Sequence, residues 1–127
     1  MSGEAAPERH LPYPAPIEAY GNGGFRFAGM SHRGSLLCLP QGIWASPVRS
    51  AADIDAAALS HVFAPETAID HFLIGAGGAP LAVPPLREAF RDRHIVVEAM
   101  TTGAAVRTYN ILLGERRRVG ALLVAVE

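Results

Sequence analysis

The residues best placed to do chemistry lie in Thr101-Thr102-Gly103-Ala104-Ala105-Val106-Arg107-Thr108-Tyr109-Asn110. This run follows the apolar, β-branched Ile95-Val96-Val97-Glu98-Ala99-Met100, which predicts a strand, and it opens a helical pattern over residues 103–116. Either threonine can cap a helix, and Gly103 lets the backbone turn closely. Unpaired N–H groups at a helix start and the helix dipole attract anions, so Thr101, Thr102, Gly103, Arg107 and Asn110 form a candidate ligand or anion site. Gly75 and Gly77, in Gly75-Ala76-Gly77-Gly78-Ala79-Pro80 after another strand-like run, stand beside it as further candidates. The competing reading is structural. Gly103, Arg107 and Asn110 share a helix flank, and Arg107 could fold back on Glu98, so Glu98, Arg107 and Asn110 would form a polar network locking helix to sheet.

Other chemistries fall away on residue types. All eleven basic residues are arginine. Without lysine there is no Schiff base, no Ser–Lys hydrolase and no P-loop. The single cysteine, Cys38, cannot make an intrachain disulfide or a thiolate zinc cluster, and its run Ser35-Leu36-Leu37-Cys38-Leu39 predicts a buried strand residue. The glycines at 75–78, with Glu98 about twenty residues on, imitate a dinucleotide fingerprint. Pro80 stands at the third glycine position, and the next helix opens only near Pro84, too late to aim its N-terminus at the loop. His10, His32, His61, His71 and His94 show no ligand spacing, and no G-x-S-x-G elbow occurs. His32-Arg33 is read as a connection, and Arg116-Arg117-Arg118 as a helix end whose cations complement the dipole. No catalytic residue, metal or cofactor is assigned.

The elements that must position these residues follow from periodicity. Pro7, Pro12, Pro14 and Pro16 mark residues 1–16 as a flexible arm outside the core. Tyr20-Gly21-Asn22-Gly23-Gly24 is a turn cluster, and Phe25-Arg26-Phe27 a short strand that should pair antiparallel with 35–39 across the connection 30–34. A third short strand starts at Gly42-Ile43-Trp44. Asp53 should cap a helix over 53–63. The sequence then alternates: strand 72–74, helix 84–93 opened by prolines, strand 95–100, helix 103–116, strand 119–126. Right-handed crossovers make the last three strands parallel and buried on both faces. The expected fold is α/β, a single three-layer domain at 17–127 around a mixed β-sheet, with antiparallel N-terminal strands followed by a parallel βαβαβ.

The runs Tyr20-Gly21-Asn22-Gly23-Gly24-Phe25-Arg26-Phe27, His32-Arg33-Gly34-Ser35, Leu73-Ile74-Gly75-Ala76-Gly77 and Val97 through Asn110 resemble a known family, in order over about residues 17 to 126. It is the family of small proteins related to mitochondrial respiratory complex I assembly factor three and to an adipogenesis-associated protein; its bacterial members are of unknown function. The resemblance implies a three-layer fold around a mixed sheet and no established catalytic residues. Many members carry cysteine where this chain has Val106, so thiol chemistry there is not a general requirement. The resemblance also implies action through protein partners.

Net charge is −1, which gives no general pull toward nucleic acid. No apolar run is long enough to span a bilayer, and Glu4 and Glu8 argue against a leader, so a cytoplasmic location is expected. The leading expectation is a non-enzymatic protein-interaction or assembly module, a monomer or small homo-oligomer, whose surface includes Gly21 to Gly24 and the Arg33 region. The alternative is a small-molecule or anion-binding protein, enzymes included, that uses the junction at 101–110.

Overall fold

The computed structural model describes residues 9–78 and 84–127, with only the backbone of Pro84 and Pro85. Among the described residues nine strands and two α-helices run in the order β1 (Arg9–Leu11), β2 (Ile17–Gly21), β3 (Gly24–Phe27), β4 (Met30–Arg33), β5 (Ser35–Leu39), β6 (Gly42–Ser46), β7 (His71–Gly75), α1 (Pro84–Asp92), β8 (Val96–Met100), α2 (Thr102–Gly114) and β9 (Val119–Leu123). Six strands form one mixed sheet ordered β1-β6-β5-β9-β7-β8, and β2-β3-β4 form a separate antiparallel sheet.

The second half follows its periodicity. β7 pairs in parallel with β8 on one side and β9 on the other, with α1 and α2 as the crossovers. β9 is buried throughout and β7 from Phe72 on, but β8 ends the sheet and is partly exposed, not buried on both faces as expected. Alternation along the central strands feeds two cores. Leu36, Cys38, Leu73, Ala121 and Leu123 pack with Ala105, Val106 and Tyr109 of α2 and with Ile17, Phe25 and Phe27 of the small sheet. Leu37, Leu39, Phe72, Ile74 and Leu122 pack with Phe90 of α1 and with Leu59 and Val62. The layers are therefore α1 and the 51–69 segment, the six-stranded sheet, and α2 with the small sheet.

The first half departs from expectation. The strand at 25–27 pairs not with 35–39 but with β2 and β4, and the supposed connection at 30–34 is mostly β4. Two two-residue loops cause this. Asn22-Gly23 and Ala28-Gly29 all have positive φ, at 53°, 79°, 51° and 74°. That is the backbone whose twist matches antiparallel strands, so each loop closes a tight hairpin. Gly34, at φ 103°, then lets the chain leave the small sheet for the large one.

The helix expected over 53–63 is absent. A 3-10 turn spans Ala51–Asp53, and tight three-residue turns follow, such as Leu59 N–H to Ala56 O at 3.2 Å and Val62 N–H to Leu59 O at 2.9 Å. The Asp53 carboxylate accepts from the N–H groups of Arg49 and Ser50, and Asp55 accepts from Ala58. These short acids compete with the helical ladder for backbone donors. The segment still buries Leu59 and Val62.

Part of the expected arm is core. β1 pairs with β6, and Leu11 and Ala15 are buried. Pro12, Pro14 and Pro16 suggested exclusion, yet they stand between the buried Leu11, Ala15 and Ile17. The arm's first eight residues lie outside the described part of the chain.

Candidate functional site

The strand-to-helix junction is built from its own hydroxyls. Thr101 adopts extended backbone before α2, and its side chain accepts from Ala104 N–H at 3.3 Å. Ala105 N–H donates to Thr101 O at 2.9 Å, and Thr102 N–H to Gly77 O at 3.0 Å. Thr102, fully buried, donates its hydroxyl to Val124 O at 2.7 Å and accepts from Gly77 N–H at 3.0 Å. A helix start leaves four orphan N–H groups. Here those of Thr102 and Ala104 have protein acceptors, and that of Gly103 has none among the described residues. A Cβ built on Gly103 would fall on the Tyr20 hydroxyl, so Tyr20 covers this turn. Gly75 serves close approach too: its Cβ would stand 3.0 Å from both Ala105 Cβ and Thr102 Cα. Gly77 takes φ 95°, which turns its amide back onto Thr102.

The residues expected to form a lock are dispersed. Asn110 accepts from Ile17 N–H and donates to Ile17 O, both at 2.9 Å, and so clamps β2 to the helix. Glu98 and Arg107 are exposed. Gly103, Arg107 and Asn110 share the flank of α2 that meets Tyr20 and Ile17, whereas β8 lies along the other flank. Among the described residues no hydrogen bond or ion pair joins Glu98, Arg107 and Asn110. The bond that ties this part of α2 down runs to the small sheet.

The runs that carry the family resemblance converge on the last residues of the chain. Val124 N–H donates to Gly75 O, Ala125 N–H to Ser35 Oγ, and Gly23 N–H to Val126 O. Thr102 holds Val124 O, and Gly34 N–H donates to Gly23 O. Gly23, Gly34, Ser35, Gly75 and Thr102 thus fasten both sheets and α2 around residues 124–126. Close backbone approach and small hydroxyls explain these residue types without a ligand.

The outer face of the small sheet is open. Ala19, Arg26 and Ser31 stand opposite one another across β2, β3 and β4, and Gly24 opposite Gly21 and Arg33. With glycine on two strands, the face forms a concavity of about 380 Å³ whose lining includes Tyr20, Asn22, Arg26, His32 and Arg33 and no carboxylate. Arg26 donates to Ser31 Oγ at 3.1 Å. His32 bridges inward: its Nδ1 lies 3.0 Å from His10 Nε2 and its Nε2 3.1 Å from Ser35 O. Sequence reasoning placed Gly21 to Gly24 and Arg33 on a candidate surface but missed Arg26. The alternation Phe25-Arg26-Phe27, two buried rings around an exposed guanidinium, carried that signal. Nothing in the sequence tied His10 to His32.

Cys38 is sealed in the core, and burial pushes its thiol from 9.0 up to about 12, offset in part by a hydrogen bond with Tyr109. Desolvation also raises the Tyr109 phenol, with Cys38 adding to the shift. Neither group is poised as a nucleophile. Val106 is also buried.

Fold and signature define the class. The chain belongs to the family of proteins of unknown function DUF498/DUF598, matched over residues 17–124. It is 37% identical over 110 residues to an uncharacterised protein of Rhodobacter capsulatus, covering 86% of this chain and 83% of that one. It is 30% identical over 118 residues to the mouse protein named NADH dehydrogenase [ubiquinone] 1 alpha subcomplex assembly factor 3. That match covers 92% of this chain but only 64% of the mouse protein's length. A crystal structure described as an outer membrane protein from Bartonella henselae superposes with a TM-score of 0.88 at 48% identity, covering 93% of this chain and all of that one. Among the described residues no helix is long and apolar enough to cross a membrane.

Proposed function

We propose that this chain is a non-enzymatic protein-interaction or assembly module that engages its partner through the concave face of the small sheet. The observation that carries the reading is the open, carboxylate-free face holding Arg26 and Arg33, next to a junction whose threonine hydroxyls are already spent on the fold. Arginine is enriched at interface hot spots because its planar fork recognises partners bidentately. The name of the mouse relative as an assembly factor supports the same reading. Mild crosslinking and pull-down with the full chain tests it. A reproducible partner that is lost with Arg26→Glu/Arg33→Glu is expected. Absence of any partner across growth conditions, or a partner the charge-reversed chain still holds, sinks the reading. A cytoplasmic location belongs to the same proposal, and cell fractionation against an outer-membrane marker checks it.

A second reading rests on Arg107, which is exposed one turn from Gly103, whose N–H has no protein acceptor among the described residues. It makes the junction at 101–110 an anion site. A ligand present at about 100 times its dissociation constant stabilises a fold by roughly 2.7 kcal/mol. A thermal-shift screen of anionic metabolites and nucleotides would register that. The reading fails if no compound raises the melting temperature, or if Arg107→Ala leaves the shift intact.

A further inference from the structure

The two edges of the six-stranded sheet are treated differently. β1 is three residues long and its pairing with β6 is irregular between Arg9 and Leu11. Short, bulged edges discourage further pairing. β8, the other edge, runs five residues in unbroken register with β7 and contains no proline. Val96 N–H donates to Asp70 O, and Met100 O accepts from Ala76 N–H. In a parallel ladder those bonds turn Val96, Glu98 and Met100 toward β7 and leave the N–H and C=O groups of Val97 and Ala99 facing outward. No strand meets them there among the described residues.

The surroundings of this edge are charged and asymmetric. Between α1 and the start of β8 lies a concavity of about 490 Å³ lined by Arg87, Arg91, His94 and Ile95 to Val97, with no carboxylate. The Arg91 guanidinium makes an exposed 3.6 Å contact to Glu88, a weak pair. Val97 and Ala99 pack on the α1 side of the sheet, so Glu98 projects from the opposite face. Val96, beside it, is 51% exposed. A second copy of this chain fits the edge poorly. Symmetric antiparallel pairing centred on Glu98 would set that carboxylate against its own copy.

We propose that β8 is a docking edge that takes an extended acidic segment of a partner protein as an added strand. Main-chain bonds to Val97 and Ala99 hold the segment. Its acidic side chains, on the α1 face, meet Arg87 and Arg91, and its opposite face meets Val96 and Glu98 and so disfavours acids there. Adding a strand to an open edge gives affinity through the backbone and specificity through alternate side chains. The proposal shares the interaction reading above but uses a different surface.

The test uses the full chain and two extended peptides of roughly eight residues, an ordinary strand length. One alternates valine with glutamate; the other has lysine for glutamate. The glutamate peptide is expected to bind more tightly and to slow hydrogen exchange at the Val97 and Ala99 amides. A proline at its centre should abolish that protection. Arg87→Glu with Arg91→Glu, both exposed and so neutral to folding, should weaken the glutamate peptide by about tenfold and favour the lysine peptide. No binding, protection elsewhere, or binding indifferent to the charge reversal overturns the proposal. Concentration-dependent protection of Val97 and Ala99 without peptide also overturns it, in favour of a second copy. Failure of the Arg26→Glu/Arg33→Glu pull-down strikes the concave face alone and leaves β8 standing.

Discussion

A single hydroxyl, that of Thr102, joins three parts of the chain: it sits on α2, accepts from the loop after β7 and donates to the segment after β9. Thr102→Val keeps the shape and removes the hydroxyl, leaving the Gly77 N–H and Val124 O without that partner. Unfolding in urea should show a loss of about 2 kcal/mol, the range for orphaning buried polar groups, with Thr102→Ser recovering most of it. A neutral Thr102→Val would show that the junction is not held this way. Cys38 gives a second check at this scale. Its thiol is raised on folding, so the folded state binds its proton more tightly than the unfolded state. The stability this contributes is complete below the ordinary thiol value of 9.0 and is lost as pH rises through about 12. The slope should approach about 1.4 kcal/mol per pH unit in that window, and steepen as the raised Tyr109 phenol joins. Cys38→Ala should flatten the curve. Thr101 as a cap was legible from a hydroxyl before a helical pattern, because capping is local. Asn110 was not, because its partner Ile17 lies 93 residues away and only the tertiary fold brings them together.

At the scale of elements, local pattern and long-range pairing parted company. The parallel half was legible because a buried β7, an amphipathic α1 and an apolar β9 allow few arrangements once crossovers are right-handed. The antiparallel half was not, because strand choice there rests on loop chemistry that one residue disguises. Asn22-Gly23 announces a hairpin; Ala28-Gly29 does the same work with alanine at φ 51°. Alanine in that backbone region costs on the order of 1 kcal/mol relative to glycine, since its Cβ crowds the following carbonyl. Ala28→Gly is therefore expected to stabilise the chain, by up to about 1 kcal/mol after the added chain entropy of glycine. Matched melting curves decide it, and an unchanged or lower midpoint would show that Ala28 is unstrained. In 53–63 the misleading feature was Asp53, which suits a helix cap. With Asp55 close behind, its carboxylate draws backbone donors into turns instead.

For the whole molecule, the boundary of the family match and the boundary of the fold do not coincide. The match begins at residue 17, yet β1 pairs with β6, Leu11 and Ala15 are buried, Tyr109 donates its hydroxyl to Ala15 O at 3.5 Å, and His10 reaches His32. If the arm were a spectator, a chain starting at Ile17 would melt like the full one. Burying one leucine side chain contributes about 1.5–3 kcal/mol, so the shortened chain should lose at least that much. It should also behave differently in solution. Without β1, β6 becomes the sheet edge over Gly42–Ser46, a longer and less interrupted strand than the one it replaces. Such edges pair with one another, so the truncated chain should self-associate with rising concentration while the full chain does so less. Sedimentation velocity and thermal melting on the two chains measure both effects. An equal melting temperature with equal association would mean that the first sixteen residues contribute no stability and guard no edge. A lower melting temperature without association would leave β1 as packing alone, and would make β8 the one edge of the large sheet where pairing matters.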